Sequence, residues 1–265
     1  MVTKEEIQHY ISQIPPAPDA LKQTLAFVEE GELTKAAKVA EQDAPLKSYL
    51  KTLVNRPVFG FKNEVSDLNQ IFGILGTSGA QQVLYSYMLS LLSPDKWELF
   101  KLDAVHFHEL QATLSRKWHN ILLHEGINDK DIESAITLLP ASIIVCEALF
   151  KTKQQEIALL RGVKALDYNT ILKRLCGMDL FDICREIARK WEMPESIGNI
   201  VHAASGVQEC EDASVERLAK WMHMLLFFEL SQGAYIEAGL NDFIDFQIDF
   251  VAEIQEPFMA LMEIA

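Results

Sequence analysis

Apolar residues return at every third or fourth position along nearly the whole chain, and no stretch alternates in the manner of a half-buried strand. Such a period lays one stripe of each segment against a common core, so it predicts an all-α fold of many helices. Leu21, Leu25 and Val28 share a face over 20–30, and Gly31 ends that helix, because glycine enters the left-handed C-terminal cap without a Cβ clash. A short helix follows over 34–42, and 46–55 groups Leu46, Tyr49, Leu50 and Leu53. Residues 57–63 read as a loop. Ser66 is the expected N-cap of a helix through Leu75, and Ser78, just after Gly76, that of a helix to Leu92. Ser93-Pro94 is the best boundary, giving an N-terminal helical subdomain over 1–94 and a larger helical subdomain over 95–265.

In the second part, 103–125 reads as one long helix, and Asn128 or Asp129 starts the next. Pro140 meets that pattern midway. Proline forfeits a helical hydrogen bond and clashes one turn back, so a break is expected there. Further helices are expected over 154–165, 168–176, 180–191 and 195–205, then from a Ser214 cap to Gln232. Asn241 is the expected cap of a last, amphipathic helix. Asp242, Asp245, Asp249, Glu253 and Glu256 would share one face of it, with Phe243, Ile244, Ile248, Phe250 and Val251 on the other side. The acidic face is the candidate partner-binding surface.

Charge narrows the partners. The chain carries 24 Lys and Arg against 38 Asp and Glu, a net −14, and no basic cluster offsets it. Nucleic acid and anionic membrane surfaces are therefore not expected partners. Beyond Lys220 there is no Lys or Arg but there are eight acids. The longest strongly apolar run, 221–230, is interrupted by His223 and Glu229 and falls short of the ~20 residues a membrane helix needs. The first residues hold no apolar run of a secretory leader, so a cytoplasmic location is expected. Cys146, Cys176, Cys184 and Cys210 form no Cys-x-x-Cys pair and are expected as free thiols.

Catalytic signatures are missing. The chain has no phosphate-binding Gly-x-x-x-x-Gly-Lys-Ser/Thr loop, no Gly-x-Gly-x-x-Gly and no Gly-x-Ser-x-Gly elbow. Two metal ligands on one helix should lie three or four residues apart. His106 and His108 are about 200° apart around a helix and His119 and His124 about 140°, so neither pair chelates from a regular helix. His106 with Glu109 and Glu6 with His9 do share faces, but each pair stands alone, whereas a di-metal bundle needs two Glu-x-x-His helices and two further Glu.

A family resemblance rests on the order of several motifs. Ile14-Pro15-Pro16-Ala17-Pro18 comes first, then Gln42-Asp43-Ala44-Pro45-Leu46 and Asn55-Arg56-Pro57-Val58-Phe59-Gly60. Val65-Ser66-Asp67-Leu68, Ile74-Leu75-Gly76 and Gln82-Val83-Leu84 complete the run. This succession, over about residues 11 to 92, resembles the HDOD domain, a bacterial output or regulatory module. It departs from the family pattern in the inserted Ala44, in Arg56 for the usual Ser, and in Asn69-Gln70 for Ala-Ile.

The remainder resembles the HD-related half of that family, whose fold is shared with HD-type metal-dependent phosphohydrolases. The resemblance implies metal ligands at a His-Asp pair and at further histidines. Here Leu138-Leu139-Pro140-Ala141-Ser142-Ile143 stands at the place of the His-Asp pair, so Pro140 and Ala141 would occupy the ligand positions. His108 falls at the first ligand position. His202 lies near a later one, where Ala203 and Ala204 take the usual His-His pair. No His-Asp dipeptide exists in the chain. The implied protein is a regulator that has lost its metal centre, has no catalytic residues and no cofactor, and binds a protein partner in a signalling pathway. Two alternatives stay open: a small-molecule sensor, for example of a nucleotide, in the vestigial pocket, and a phosphohydrolase whose ligands lie elsewhere.

Overall fold

A computed structural model of the protein describes residues 1–265 apart from 57–60, 62, 164, 165, 208, 209 and 265. Among the described residues every regular element is a helix. The chain forms two units, Pro15–Leu91 and a larger one made of Met1–Ile14 with Leu92–Ala265. The first segment therefore belongs with the larger unit, not with an N-terminal subdomain over 1–94. Its helix α1 (Lys4–Gln13) was not among those expected. The signal was the Thr3-x-x-Glu6 pattern: Glu6 N–H donates to Thr3 Oγ1 at 3.2 Å and Thr3 N–H to Glu6 Oε2 at 2.9 Å, a reciprocal capping box.

The smaller unit contains α2 (Asp19–Glu29), α3 (Leu33–Ala40), α4 (Ala44–Val54) and α5 (Leu68–Ser90). Leu21, Val28, Ala36, Leu50, Ile71 and Phe72 are fully buried in its core. Two motif residues have plain structural work. Asp43 caps α4 by accepting from Leu46 N–H at 2.9 Å. Asn55 donates to the carbonyls of Lys51 and Val65 and accepts from Val65 N–H, so it ties the end of α4 to the chain entering α5. The expected Ser66 cap is displaced by one residue: Asp67 accepts from Asn69 and Gln70 N–H. Gly76, at φ 63° and ψ −171°, breaks α5 into two helical stretches, a conformation open to glycine. Pro57–Gly60 of the family motif lies outside the described residues.

In the larger unit α6 (Ala104–Glu125) is capped by Asp103 and ends at a left-handed Gly126. Asp129 caps α7 (Lys130–Ala135). The break expected at Pro140 is present: a turn over 136–140 precedes α8 (Ala141–Phe150), with Pro140 at its N-cap position. Next come α9 (Gln154–Val163), α10 (Tyr168–Cys176), α11 (Leu180–Lys190) and α12 (Glu195–Ala203). The apolar helix α13 (Ala213–Leu230) is capped by Asp212, not Ser214, whose N–H and hydroxyl both donate to Asp212 Oδ1.

The expected last helix from Asn241 does not form. A 3-10 turn (Leu240–Asp242) leads to a stretch without regular structure over 245–247, following α14 (Gly233–Glu237). Two separate helices then follow, α15 (Ile248–Val251) and α16 (Gln255–Ile264). Tertiary partners outbid the local ladder: Gln247 N–H goes to His223 Nε2 at 3.1 Å, and Phe243 and Ile244 are buried. Pro257, which lacks an N–H, sits in the first turn of α16, where proline is tolerated. Asp242, Asp245, Asp249, Glu253 and Glu256 consequently lie on five different segments and share no helix face.

α8 lies at the centre of this unit, and every residue of 134–150 except Ala148 is buried. Its Glu147 is fully buried, and the carboxylate accepts from the backbone N–H groups of Glu98, Leu99 and Phe100 at 2.8–3.2 Å. Replacing Glu147 by Ala strips partners from three N–H groups at once. Urea unfolding of Glu147→Ala is expected to show a loss of about 2–4 kcal/mol, with Glu147→Gln, which keeps one acceptor oxygen, in between. An unchanged midpoint for the Ala variant would remove this clamp from the account.

Candidate functional site

The positions expected to carry a degenerate metal centre are Pro140, Ala141, His108 and His202. Pro140 and Ala141 stand at the buried start of α8 and bring no side-chain donor. His108 is in the second turn of α6 and half-buried. His202 is near the end of α12. Its Nε2 is 2.8 Å from Asp182 Oδ1, and its Nδ1 is 3.4 Å from Arg185 Nη1. Because a guanidinium only donates, Nδ1 is the acceptor and Nε2 carries the proton toward Asp182. Neither ring nitrogen is left to bind a metal.

Sequence reading missed the network around this histidine. Asp182 Oδ2 accepts from Asp179 N–H at 2.9 Å and from Lys173 Nζ at 3.0 Å. Burial pushes the Asp182 carboxyl up, but the bonds from His202, Asp179 and Lys173 outweigh it and hold the group well below the ordinary carboxylate range. Fully buried Asp179 caps α11 and also meets Lys173 at 3.4 Å. The Asp179-x-x-Asp182 spacing was the available signal, an acidic capping box ahead of an apolar stripe.

A second histidine closes the neighbouring turn. His223 of α13 is completely buried; its Nδ1–H donates to Ala204 O at 2.8 Å while Nε2 accepts from Gln247. Ala203 and Ala204, which stand where the family resemblance expects a His pair, thus supply a carbonyl instead of imidazoles. The other histidines are dispersed: His106 pairs with Asp103 at 2.9 Å, His119 with Glu133 at 2.8 Å, and His124 packs edge-on to Trp221. No group of three or more His, Cys, Asp or Glu among the described residues could hold a metal ion. The donor set does not fit the metal that HD-type proteins use.

Three of the four cysteines are placed away from nucleophilic chemistry. Burial pushes the Cys146, Cys176 and Cys184 thiols up, away from the thiolate that a nucleophile requires. One cleft of about 370 Å³ is lined by His119, Leu123, Asn128, Asp129 and Glu133. Another of about 380 Å³ is lined by Arg161, Thr170, Arg174, Asn241 and Asp245. Neither includes Pro140, Ala141 or His202. No helix among the described residues is long and apolar enough to cross a membrane. Of the five acids expected on one face, Asp245, Asp249, Glu253 and Glu256 are exposed, and Glu253 pairs with Lys220 at 2.7 Å.

Burial lowers the His223 pKa from 6.5 to about 4, against the smaller upward pull of its bond to Ala204. A folded value below the unfolded one means that unfolding takes up a proton. The histidine's contribution is complete above about pH 6.5 and is lost as the pH falls toward 4. Between pH 7.5 and 5 the loss is about 2 kcal/mol. Urea titrations at both pH values should show this loss in the wild type, and His223→Gln should flatten the dependence by that amount. An identical pH dependence in the variant would contradict the buried neutral imidazole.

Comparison with known proteins agrees with the architecture. An HDOD domain protein with unknown function from Geobacter sulfurreducens superposes with TM-score 0.62 at 14% identity, over 97% of this chain and 95% of that one. A candidate signal transduction protein from Marinobacter aquaeolei gives TM-score 0.64 at 15% identity, over 98% of this chain and 63% of that longer one. A candidate phosphohydrolase from Shewanella amazonensis gives 0.63 at 14%, over 97% of each. At such identities these likenesses establish the fold alone. No curated protein sequence matches the chain. The family model of the HDOD domain matches residues 14–206, from the start of the motif run through α12 to Gly206. The chain belongs to the HDOD family.

Proposed function

We propose that the protein is a non-catalytic component of signal transduction that acts by binding a protein partner through a degenerate HD-type helical scaffold. The observation that carries this reading is the commitment of His202, whose two ring nitrogens are engaged by Asp182 and Arg185, together with a Pro140-Ala141 pair that brings no donors. A metal-activated water needs several open donors converging on one point. Binding needs only a stable surface, and the helical core supplies one. The Marinobacter relative's description as a signal transduction protein agrees in kind; the Shewanella relative's description as a phosphohydrolase is the competing class. A cytoplasmic, bacterial setting goes with this proposal.

The cleft with Arg161 and Arg174 favours a second reading, a sensor of a small anionic molecule such as a nucleotide. The guanidinium fork suits phosphate. That site is separate from the vestigial metal positions.

Affinity capture on the tagged full chain separates these readings. The proposal expects one stoichiometric partner, lost on substitution of an exposed residue that leaves thermal unfolding unchanged. Loss only through substitutions that unfold the core would count against it. A rise in melting temperature with a nucleotide, which mass action requires of any ligand held by the folded state alone, would favour the sensor.

A further inference from the structure

We infer that the surface formed by Val207, Phe246 and Ile248 docks a basic amphipathic segment of a protein partner; this rests on the binding reading above and names the partner's chemistry. Val207 is 53% exposed, Phe246 37% and Ile248 58%. The two chain segments that carry them approach closely: a Cβ on Gly206 would lie 2.9 Å from Gln247 Cβ and 3.1 Å from Phe250 Cδ1. Only glycine permits that approach, and its φ of +72° is likewise a glycine conformation. Val207, Phe246 and Ile248 are each a sequence neighbour of a residue in that close approach.

The patch is held from below. The Phe246 ring stacks on His223 with centroids 5.6 Å apart and lies 5.0 Å from Phe227. The Gln247 N–H bond to His223 pins the backbone between Phe246 and Ile248. An aromatic side chain held in one orientation and still one-third exposed loses little freedom on binding, which is the property of an interface anchor.

Charge selects the occupant. Exposed Asp245 and Asp249 flank these side chains in sequence. The nearby Lys220 is taken up by Glu216 at 2.9 Å and Glu253 at 2.7 Å. Asp249 carries no ion pair among the described residues, while Asp245 lines the cleft that also holds Arg161 and Arg174. A second copy of the chain, seated by two-fold symmetry, would set these acids against themselves. Anionic lipid is repelled by the same charge. A helix or strand with Leu or Met on one side and Lys or Arg beside them satisfies both the apolar patch and the acids.

The test uses the full chain and a fluorescein-labelled peptide of about 18 residues in which Leu and Lys follow a helical pattern. A matching peptide with Glu for Lys is the comparator, and binding is read by fluorescence anisotropy at physiological salt. The Lys peptide is expected to bind and the Glu peptide not. Ile248→Ser and Val207→Ser, which leave the charge unchanged, should each weaken binding about tenfold, and so should Asp249→Lys. Glu30→Lys, in the other unit, should change nothing. Equal loss with Glu30→Lys, or no loss with Ile248→Ser, would reduce the effect to bulk charge and overturn the inference. Sedimentation showing a dimer abolished by Ile248→Ser would assign the patch to a second copy instead. Circular dichroism melts of the variants verify that they fold. A captured partner whose recovery ignores Ile248→Ser would leave the binding function standing and remove only this surface.

Discussion

Glu147 is the one charged side chain of α8, and it fixes a segment of the larger unit some fifty residues earlier in the chain. Its oxygens receive three consecutive backbone N–H groups from Glu98 to Phe100. That segment would otherwise bring orphan donors into the core, where each costs free energy unless paired. With the segment fixed, Phe100 packs against Tyr168 and Phe243, and Lys101 N–H reaches Ala238 O at 2.9 Å. Asn55 does related work in the smaller unit, where one side-chain amide joins two backbone stretches. In both places a polar side chain, not an extra apolar one, decides where an irregular stretch of chain goes.

The same principle explains why the histidines are poor ligands here. His202 and His223 each use both ring nitrogens within the protein, one in an ionic network and one between two backbone groups. A buried imidazole satisfied on both sides is a structural pin. Pinning has a consequence at the surface: His223 organises the stretch from Phe246 to Phe250, leaving Phe246 and Ile248 partly in solvent.

Much of the fold was legible because helix periodicity is a local property. Bounds such as Tyr168–Cys176 follow from an Asp before the stripe and a glycine after it. The break at Pro140 follows from proline's missing N–H. What could not be read was decided by distant partners. Nothing local shows that Gln247 donates to His223, so Asp242 to Glu256 read as one amphipathic helix although the chain there is broken. Nothing local shows that Glu147 faces inward, or that His202 meets Asp182 from 20 residues away. The caps missed by one or two residues, Asp67 for Ser66 and Asp212 for Ser214, are cases where Asp and Ser compete for the same role. At the positions where the family resemblance places metal ligands, the absence of donors was visible in Pro140 and Ala141; the engagement of His202 was not.

The most direct test of the account is the metal content of protein purified without chelator and without metal-affinity resin, read by elemental analysis. The account predicts less than about a tenth of an equivalent of any transition metal, because no set of open donors to hold one exists among the described residues. One or two tightly held equivalents, together with phosphohydrolase activity lost on stripping, would mean that His202 exchanges its protein partners for a metal, and would contradict the account.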